Sequence, residues 1–139
     1  MITQNLLSIQ ASLPKNVCLV AVSKTKPIDL IQEAYNAGQR VFGENKVQEL
    51  VEKHELLPKD IEWHMIGHLQ TNKVKYIAPF INLIHAVDSL KLLKEINKQA
   101  IRNNRVINCL IQIHVAREES KFGFNFEEIH ELFSSNEFT

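Results

Sequence analysis

Lys24 is the residue in this sequence whose type and position best suit covalent chemistry. It follows a run of six apolar residues, 17–22, with only Ser23 between them, so we expect its ammonium at the edge of a dry core. Partial burial there disfavours the charged form and lowers the pKa of a lysine, which a Schiff-base lysine needs. The alternative is a strand-end lysine whose ammonium reaches water, and spacing alone favours that alternative.

Other polar residues also follow apolar, strand-like runs. Asn45 is a helix-cap candidate and also a side-chain amide placed to meet a ligand. Lys73 lies where a helix opens, and a helix N-terminus can bind an anion, although capping is the simpler interpretation. Lys121, beside Ser120, is a further polar residue in a loop. Because α/β proteins bind ligands at the carboxyl ends of their strands, these positions predict a polar binding rim.

The six histidines raise the question of a metal site. His64 and His68 have the spacing of two ligands on one helix, but here that spacing crosses a strand end and a loop. No cluster of acids or cysteines completes a coordination shell, so we predict no metal site. Cys18 and Cys109 lie inside apolar runs and are predicted to be buried thiols. The sequence has no Walker A motif, GxGxxG fingerprint or nucleophile elbow.

Composition narrows the class of protein. The chain has 139 residues, of which 45% are hydrophobic and 23% charged, as in an ordinary globular domain, so we expect one domain spanning 1–139. Sixteen basic residues balance sixteen acidic ones, which argues against a dedicated nucleic-acid binder. No apolar run approaches the roughly 20 residues of a membrane span, and no signal-peptide pattern opens the chain. We therefore expect a cytoplasmic protein.

The elements that must position these residues alternate along the chain. Five apolar, β-rich runs are separated by segments with helical periodicity. Strands that alternate with helices predict a parallel sheet, because each helix returns the chain to the same edge. The predicted strands are residues 17–22, 40–42, 62–66, 83–87 and 106–115.

Helix ends are marked by capping residues. Asn45 with Gln48, and Asn125 with Glu128, have the spacing of capping boxes. Ser89 is an N-cap candidate, and Gly38 is placed to end a helix in the left-handed conformation. The fold is then either an open doubly wound sheet or a (β/α)8 barrel. A barrel normally takes about 250 residues, so a barrel interpretation requires that three of its eight units are missing.

Five sequence blocks, in order, resemble those of a known family. They make the chain similar to the pyridoxal phosphate homeostasis proteins, which are single-domain, alanine-racemase-like proteins that bind pyridoxal phosphate (PLP). The blocks are AVSKTKP at 21–27, AGQRVFGEN at 37–45, EWHMIGHLQTNK at 62–73, HAVDS at 85–89 and LIQIHVAREESKFGF at 110–124.

The resemblance implies a fold and a site. The fold would be a (β/α)8 TIM barrel of the fold-type III PLP class, represented here by about the first five βα units. Lys24 would hold PLP as an aldimine, Asn45 would be the second cofactor contact, and Lys73 and Lys121 occupy positions of recurring family lysines. Members have no well-established turnover and are linked to intracellular PLP balance. PLP and PLP-dependent apoenzymes would be the partners.

Two departures from the family affect these expectations. The Ser-Met-Gly-Met-Ser and Arg-Ile-Gly segments that form the phosphate cradle do not occur in this sequence. We therefore expect a partial barrel that keeps the Schiff-base lysine, binds PLP weakly and self-associates through open barrel edges. His114 stands where many members carry a different residue, which leaves its role open.

Two alternatives to a PLP carrier stay open. An amino-acid racemase or decarboxylase would need a second acid–base group opposite Lys24, and no tyrosine is visible at a matching rim position. The chain would otherwise be a non-functional fragment of a split gene that needs a second polypeptide. The sequence alone does not separate carrying PLP from sensing it.

Overall fold

The protein alternates short strands with helices in a single repeating order. The computed structural model describes residues 1–113 and 123–134. The strands are β1 Ala21–Val22, β2 Val41–Glu44, β3 Glu62–Met65, β4 Leu83–Val87 and β5 Asn108–Ile111. The helices are α1 Ile2–Ser12, α2 Ile28–Asn36, α3 Val47–Leu56, α4 Val74–Ile77, α5 Leu90–Arg102 and α6 Phe126–Ser134, with a 3-10 turn at Thr71–Lys73 before α4. In these two described ranges, no helix has the length and apolarity needed to cross a membrane.

The five strands form one parallel sheet in the order β1-β2-β3-β4-β5. Each strand pairs with the strand before it, so every helix between them is a crossover to the adjacent position. The predicted parallel α/β sheet is therefore confirmed. The predicted bounds of β4 match the structure at both ends.

The strand register divides the sheet into two faces. One row of paired residues points away from the helices, and we call this the inner face. The neighbouring rows point to the opposite side, which we call the outer face. The inner row is Val22, Gly43, His64, Leu83 and Asn108. The outer rows are Ala21, Phe42 and Trp63, and Glu44, Met65, Ile84 and Cys109.

The hydrophobic core lies between the outer face and the helices. Trp63 and Ile84 are completely buried, and Phe42 is stacked at a tilt on Trp63 with ring centroids 5.9 Å apart. Leu50 of α3 and Ile96 of α5 belong to the same buried cluster. The helices thus bury the outer face, and this packing fixes the positions of the strand ends.

Most of the predicted helix ends are correct. The Ser89 hydroxyl accepts a hydrogen bond from the Leu92 N–H, and Asn125 and Glu128 exchange the two bonds of a capping box. Gly38 has a φ of 109°, which is the left-handed conformation expected after α2. The predicted box at Asn45 is wrong. Helix α3 begins two residues later at Val47, with Lys46 at its N-cap and no side-chain cap.

Two predictions about the edge strands are also wrong. The run 17–22 contributes only Ala21 and Val22 to β1, because β1 lies at the edge of the sheet and, among the described strands, pairs with β2 alone. Cys18 consequently lies outside the sheet and is exposed, whereas Cys109 is partly buried. Burial raises the pKa of the Cys109 thiol to about 11. The run 106–115 is likewise reduced to β5, within the part of the chain that the structure describes.

Candidate functional site

Lys24 lies in the tight turn that directly follows β1. Its side chain is exposed, so the partial burial expected from the sequence is wrong. Ser23 before it is buried, with 3% of its surface exposed, and bonds through its N–H to the Gly43 carbonyl. Thr25 after it has a φ of 61°, a left-handed conformation that costs a β-branched residue about 1–3 kcal/mol. The side chain of Lys24 is therefore accessible to solvent, while the backbone beside it is held in a conformation that β-branched residues seldom adopt.

A buried group of charged side chains lies beneath this turn. Lys53 of α3 donates hydrogen bonds to Glu44 Oε2 at 2.8 Å and to Glu49 Oε1 at 2.7 Å. The Ser23 hydroxyl donates to the same Glu44 oxygen. Side-chain exposure is 6% for Lys53, zero for Glu44 and 23% for Glu49. Buried charges are tolerated only when paired, and these three groups pair with one another.

The two carboxylates of this group respond in opposite ways to their surroundings. Burial raises the pKa of Glu44, and the hydrogen bonds from Lys53 and Ser23 oppose that rise. The hydrogen bond from Lys53 lowers the pKa of Glu49, which lies nearer the surface. Glu44 Oε1 is buried with no hydrogen-bond partner among the described residues. Lys53 therefore pairs with both carboxylates, and Glu44, which is the more deeply buried of the two, carries the larger desolvation cost.

The same charged group also contacts the backbone on both sides of Lys24. The Ser23 carbonyl accepts a hydrogen bond from Lys53 Nζ at 2.6 Å. The Thr25 N–H donates to Glu49 Oε1 at 2.5 Å. We call this pair of contacts the α3 clamp. It ties the Lys24 turn to a helix whose buried face is part of the core.

Asn45 lies at the C-terminal end of the next strand and is partly buried. Gly67, which follows β3, packs directly on it, and a Cβ at Gly67 would lie 2.8 Å from the Asn45 carbonyl oxygen. Only glycine permits so close an approach of two backbones. The ends of β2 and β3 are thus held together beside the Lys24 turn, and the Asn45 side chain is placed at the predicted rim.

Two of the described histidines lie against each other, and a third lies beside a carboxylate. On the inner face, His64 Nδ1 and His85 Nε2 lie 3.0 Å apart, and burial lowers the pKa of both rings. His68 Nδ1 lies 3.2 Å from a carboxylate oxygen of Asp88, which joins the loops after β3 and β4. Across residues 1–113 and 123–134, no three side chains of His, Cys, Asp or Glu gather as metal ligands.

Of the remaining predicted site residues, the structure describes Lys73. Lys73 is exposed at the end of the 3-10 turn, and it lines a groove of about 390 Å³ with Val47, Val51 and Tyr76 of α3 and α4. Lys24 does not line this groove. Lys121 lies outside the described residues, as does His114.

Sequence reasoning missed the group that holds the Lys24 turn. The only local signal is the spacing of Glu49 and Lys53, which are four residues apart and form an ordinary helical ion pair. Nothing in that spacing indicates that the pair also reaches β1 and β2. Glu44 directly precedes Asn45 at the end of β2, but it points to the outer face and bonds to Lys53 of α3.

The geometry suits a small carbonyl compound. An exposed primary amine on a fixed backbone is accessible to an aldehyde, and an amide is available at the neighbouring strand end. Both residues lie at the carboxyl ends of parallel strands, which is where α/β proteins bind ligands.

Comparison with known sequences places the chain among alanine racemase relatives. The profile of the alanine racemase N-terminal domain matches residues 1–137. The pyridoxal phosphate homeostasis protein of Aquifex aeolicus is 49% identical over 116 residues, which are 83% of this chain and 51% of that protein. The protein of the same name from Escherichia coli K12 is 44% identical over 123 residues, or 86% of this chain and 53% of that protein. The chain thus spans about half the length of the curated relatives that it matches.

Solved structures show the same fold. PipY of Synechococcus elongatus PCC7942, solved with PLP bound, superposes with a TM-score of 0.87 at 35% identity, covering 96% of this chain and 63% of that one. Alanine racemase of E. faecalis superposes with a TM-score of 0.75 at 17% identity, over 96% of this chain and 37% of that one. The five-stranded sheet is therefore part of an alanine-racemase-like barrel, as the sequence predicted.

Proposed function

The chain belongs to the family of the alanine racemase N-terminal domain, and from that membership we propose that it binds PLP and takes part in PLP homeostasis. The curated relatives carry the name pyridoxal phosphate homeostasis protein, and the S. elongatus relative was solved with PLP bound. The residues at the Lys24 turn fit this cofactor, because PLP offers an aldehyde and the turn presents an amine.

The exposed position of Lys24 on its clamped turn is the observation that carries the proposal. In our proposal, PLP is held as an aldimine with this lysine. The Lys24 Nζ bonds to the aldehyde carbon, and the aldehyde oxygen leaves as water with two protons from the amine. The neighbouring backbone contacts keep the amine at the strand end while this bond forms.

The other predicted residues have supporting roles in this proposal. Asn45 offers its amide to the cofactor from the end of β2. We propose Lys73 and Lys121 as further cofactor-binding lysines, in line with the family resemblance. We place the phosphate grip in the part of the relatives' length that this chain does not span, because barrel phosphate sites generally use the last βα loops. Binding by residues 1–139, as one domain, would then be weak.

The proposal also includes the setting in which the protein acts. We propose a cytoplasmic protein that exchanges PLP with PLP-dependent apoenzymes. Strands β1 and β5 lie at the two edges of the sheet, and unpaired strand edges can pair with another chain. We therefore propose self-association through these edges, which light scattering coupled to size-exclusion chromatography measures directly.

Borohydride trapping tests the assignment of Lys24. The chain is incubated with PLP at low concentration, reduced with borohydride and mapped by peptide mass spectrometry. We expect one pyridoxyl group, on Lys24, and loss of that adduct in Lys24→Ala. Lys26→Ala is the matched control, because Lys26 is exposed and only two residues away. Labelling scattered over several lysines would contradict the proposal, and would indicate ordinary amine chemistry at the surface.

A further inference from the structure

The contacts on either side of Lys24 form one continuous circuit. It runs from the Ser23 carbonyl to Lys53 Nζ at 2.6 Å, from there to Glu49 Oε1 at 2.7 Å, and back to the Thr25 N–H at 2.5 Å. The first and last atoms belong to the two residues that flank Lys24. A helix side-chain pair therefore holds the peptide units before and after the lysine.

The circuit contacts the backbone at Thr25, where the conformation needs support from neighbouring groups. Thr25 has a φ of 61°, which β-branched residues seldom adopt. Such a conformation persists where the surroundings fix it, and the bond from the Thr25 N–H to Glu49 does so here. The hydroxyl of Thr25 also donates to the Lys24 carbonyl at 2.6 Å. Without Glu49, the turn would lose its only described contact with α3 on this side.

The depth of the circuit distinguishes it from an ordinary surface ion pair. Lys53 is 6% exposed and Glu44, its second carboxylate partner, is fully buried. Hydrogen bonds between charged groups are strong when water is excluded, and their geometry is then fixed. Lys24 itself is exposed and is not part of the circuit. Glu49 and Lys53 therefore affect the Lys24 amine through the backbone of the turn.

We propose that Glu49 and Lys53 are positioning residues, which fix the direction of the Lys24 amine by holding the peptide units on both sides of it. This inference rests on the proposed function, since it assigns Lys24 as the residue that bonds PLP. Removal of the Glu49 carboxylate frees the Thr25 peptide, so the amine samples more orientations and reacts less selectively. A small misplacement of a reacting group is enough to produce large rate effects.

Three variants of α3 separate positioning from simple stabilisation. Glu49→Ala removes the acceptor for the Thr25 N–H, whereas Glu49→Gln keeps an oxygen in the same place and should rescue. Glu52→Ala is the matched control, because Glu52 is exposed on the same helix and contacts Gln48 rather than the turn. Circular dichroism and thermal melting establish that each variant is folded. Glu49 is only partly buried, so we expect all three to fold.

Two readouts are recorded on each variant. The first is amide hydrogen exchange of Thr25, measured by NMR without PLP. The second is the ratio of pyridoxyl adducts on Lys24 and Lys26 after borohydride trapping. In Glu49→Ala we expect Thr25 exchange to accelerate about tenfold and the Lys24 to Lys26 ratio to fall about tenfold, while Glu49→Gln and Glu52→Ala stay within about twofold of the parent chain.

The outcomes distinguish the two proposals. If the parent chain shows no preference for Lys24, the assignment of Lys24 is wrong and the positioning role with it, whatever the exchange data show. If the parent prefers Lys24 and a folded Glu49→Ala retains both that preference and slow Thr25 exchange, the positioning role alone is wrong. Faster exchange with an unchanged adduct ratio also overturns it, because the clamp would then be structural only.

Discussion

The two faces of the sheet are built from alternating residues of the same five strands, yet the apolar side chains of the inner face are more exposed than the large apolar side chains of the outer face. On the outer face, Phe42, Trp63 and Ile84 have at most 1% of their surface exposed. On the inner face, Val22 is 52% exposed and Leu110 is 49% exposed, although both are as apolar as their neighbours. Residue type therefore does not decide burial here. The covering layer of helices decides it, and the structure shows such a layer on the outer face.

Polar groups follow the same division. The outer face carries the charges of Glu44 and Lys53, which are buried but neutralise one another. The inner face carries His64 and His85, whose pKa values are lowered by burial, so the neutral rings are favoured. Charge is retained where a partner of opposite sign is built in, and is avoided where the neighbour is a second titratable ring. Substitutions on the two faces test this difference through their effects on the stability of the protein.

The strongest test compares one apolar residue from each face. Trp63→Ala should lower the free energy of unfolding by about 3–5 kcal/mol, because it empties a fully buried site. Leu110→Ala should cost less than about 1 kcal/mol, since half of that side chain is already in water. Urea denaturation of both variants measures the difference. A large cost at Leu110 would mean that the inner face is covered in solution, and the oligomeric state would then identify a second copy as the cover.

Removing the cation of the buried group should have the next largest effect. Lys53→Met leaves Glu44 buried without its partner, and we expect a loss of about 3 kcal/mol. Adding Glu44→Leu should restore much of that loss, because the pair is then replaced by apolar groups. Lys94→Met, on the exposed side of α5, is the control and should stay within about 0.5 kcal/mol. Equal losses in Lys53→Met and Lys94→Met would show that the outer charges contribute nothing.

The inner face should make stability depend on pH. His64 and His85 have pKa values below the ordinary 6.5, so the unfolded chain binds more protons than the folded chain as the pH falls through 6.5 toward the lowered values. The free energy of unfolding is thus highest above that window and falls with pH inside it. The double variant His64→Gln, His85→Gln should flatten this slope in urea titrations at several pH values, whereas replacing the exposed His130 should not. An unchanged slope in the double variant contradicts the comparison.

The smallest effect concerns the layer that covers the outer face. Ser89 caps α5, whose buried residues pack on that face, and Ser89→Ala should cost about 1 kcal/mol. Asn125→Ala removes the equivalent cap of α6, in which no residue is fully buried. We expect a loss of no more than about 0.5 kcal/mol there. Thermal melts of the two variants show which helix contributes more to the layer over the outer face. A larger loss of stability in Asn125→Ala than in Ser89→Ala would contradict the greater contribution that we assign to α5.

Local signals in the sequence predicted much of this fold. The bounds of β4, the Ser89 cap and the left-handed Gly38 all depend on residues close together in the chain. Such features follow from neighbouring side chains and backbone preferences, which a single sequence displays. Edge strand β1 was predicted too long, because the length of a strand depends on a distant partner.

The candidate site was predicted less completely for the same reason. Lys24 and Asn45 could be placed at strand ends from the apolar runs before them. The exposure of Lys24 and the contacts of Glu49 and Lys53 with its turn depend on how α3 packs over β1 and β2. No spacing within one segment encodes that packing.

The strand order has a further consequence for how the protein forms. Every strand pairs with the one made just before it, so each new βα unit docks on a structure already present. Contacts between near neighbours in sequence close small loops and form quickly. Synthesis proceeds from the N-terminus, so we expect the sheet to grow in the order of translation, beginning with the strands that precede Lys24 and Asn45. The side chains and backbone groups of the clamp on Lys24 all lie between Ser23 and Lys53, so they are all synthesised before β5.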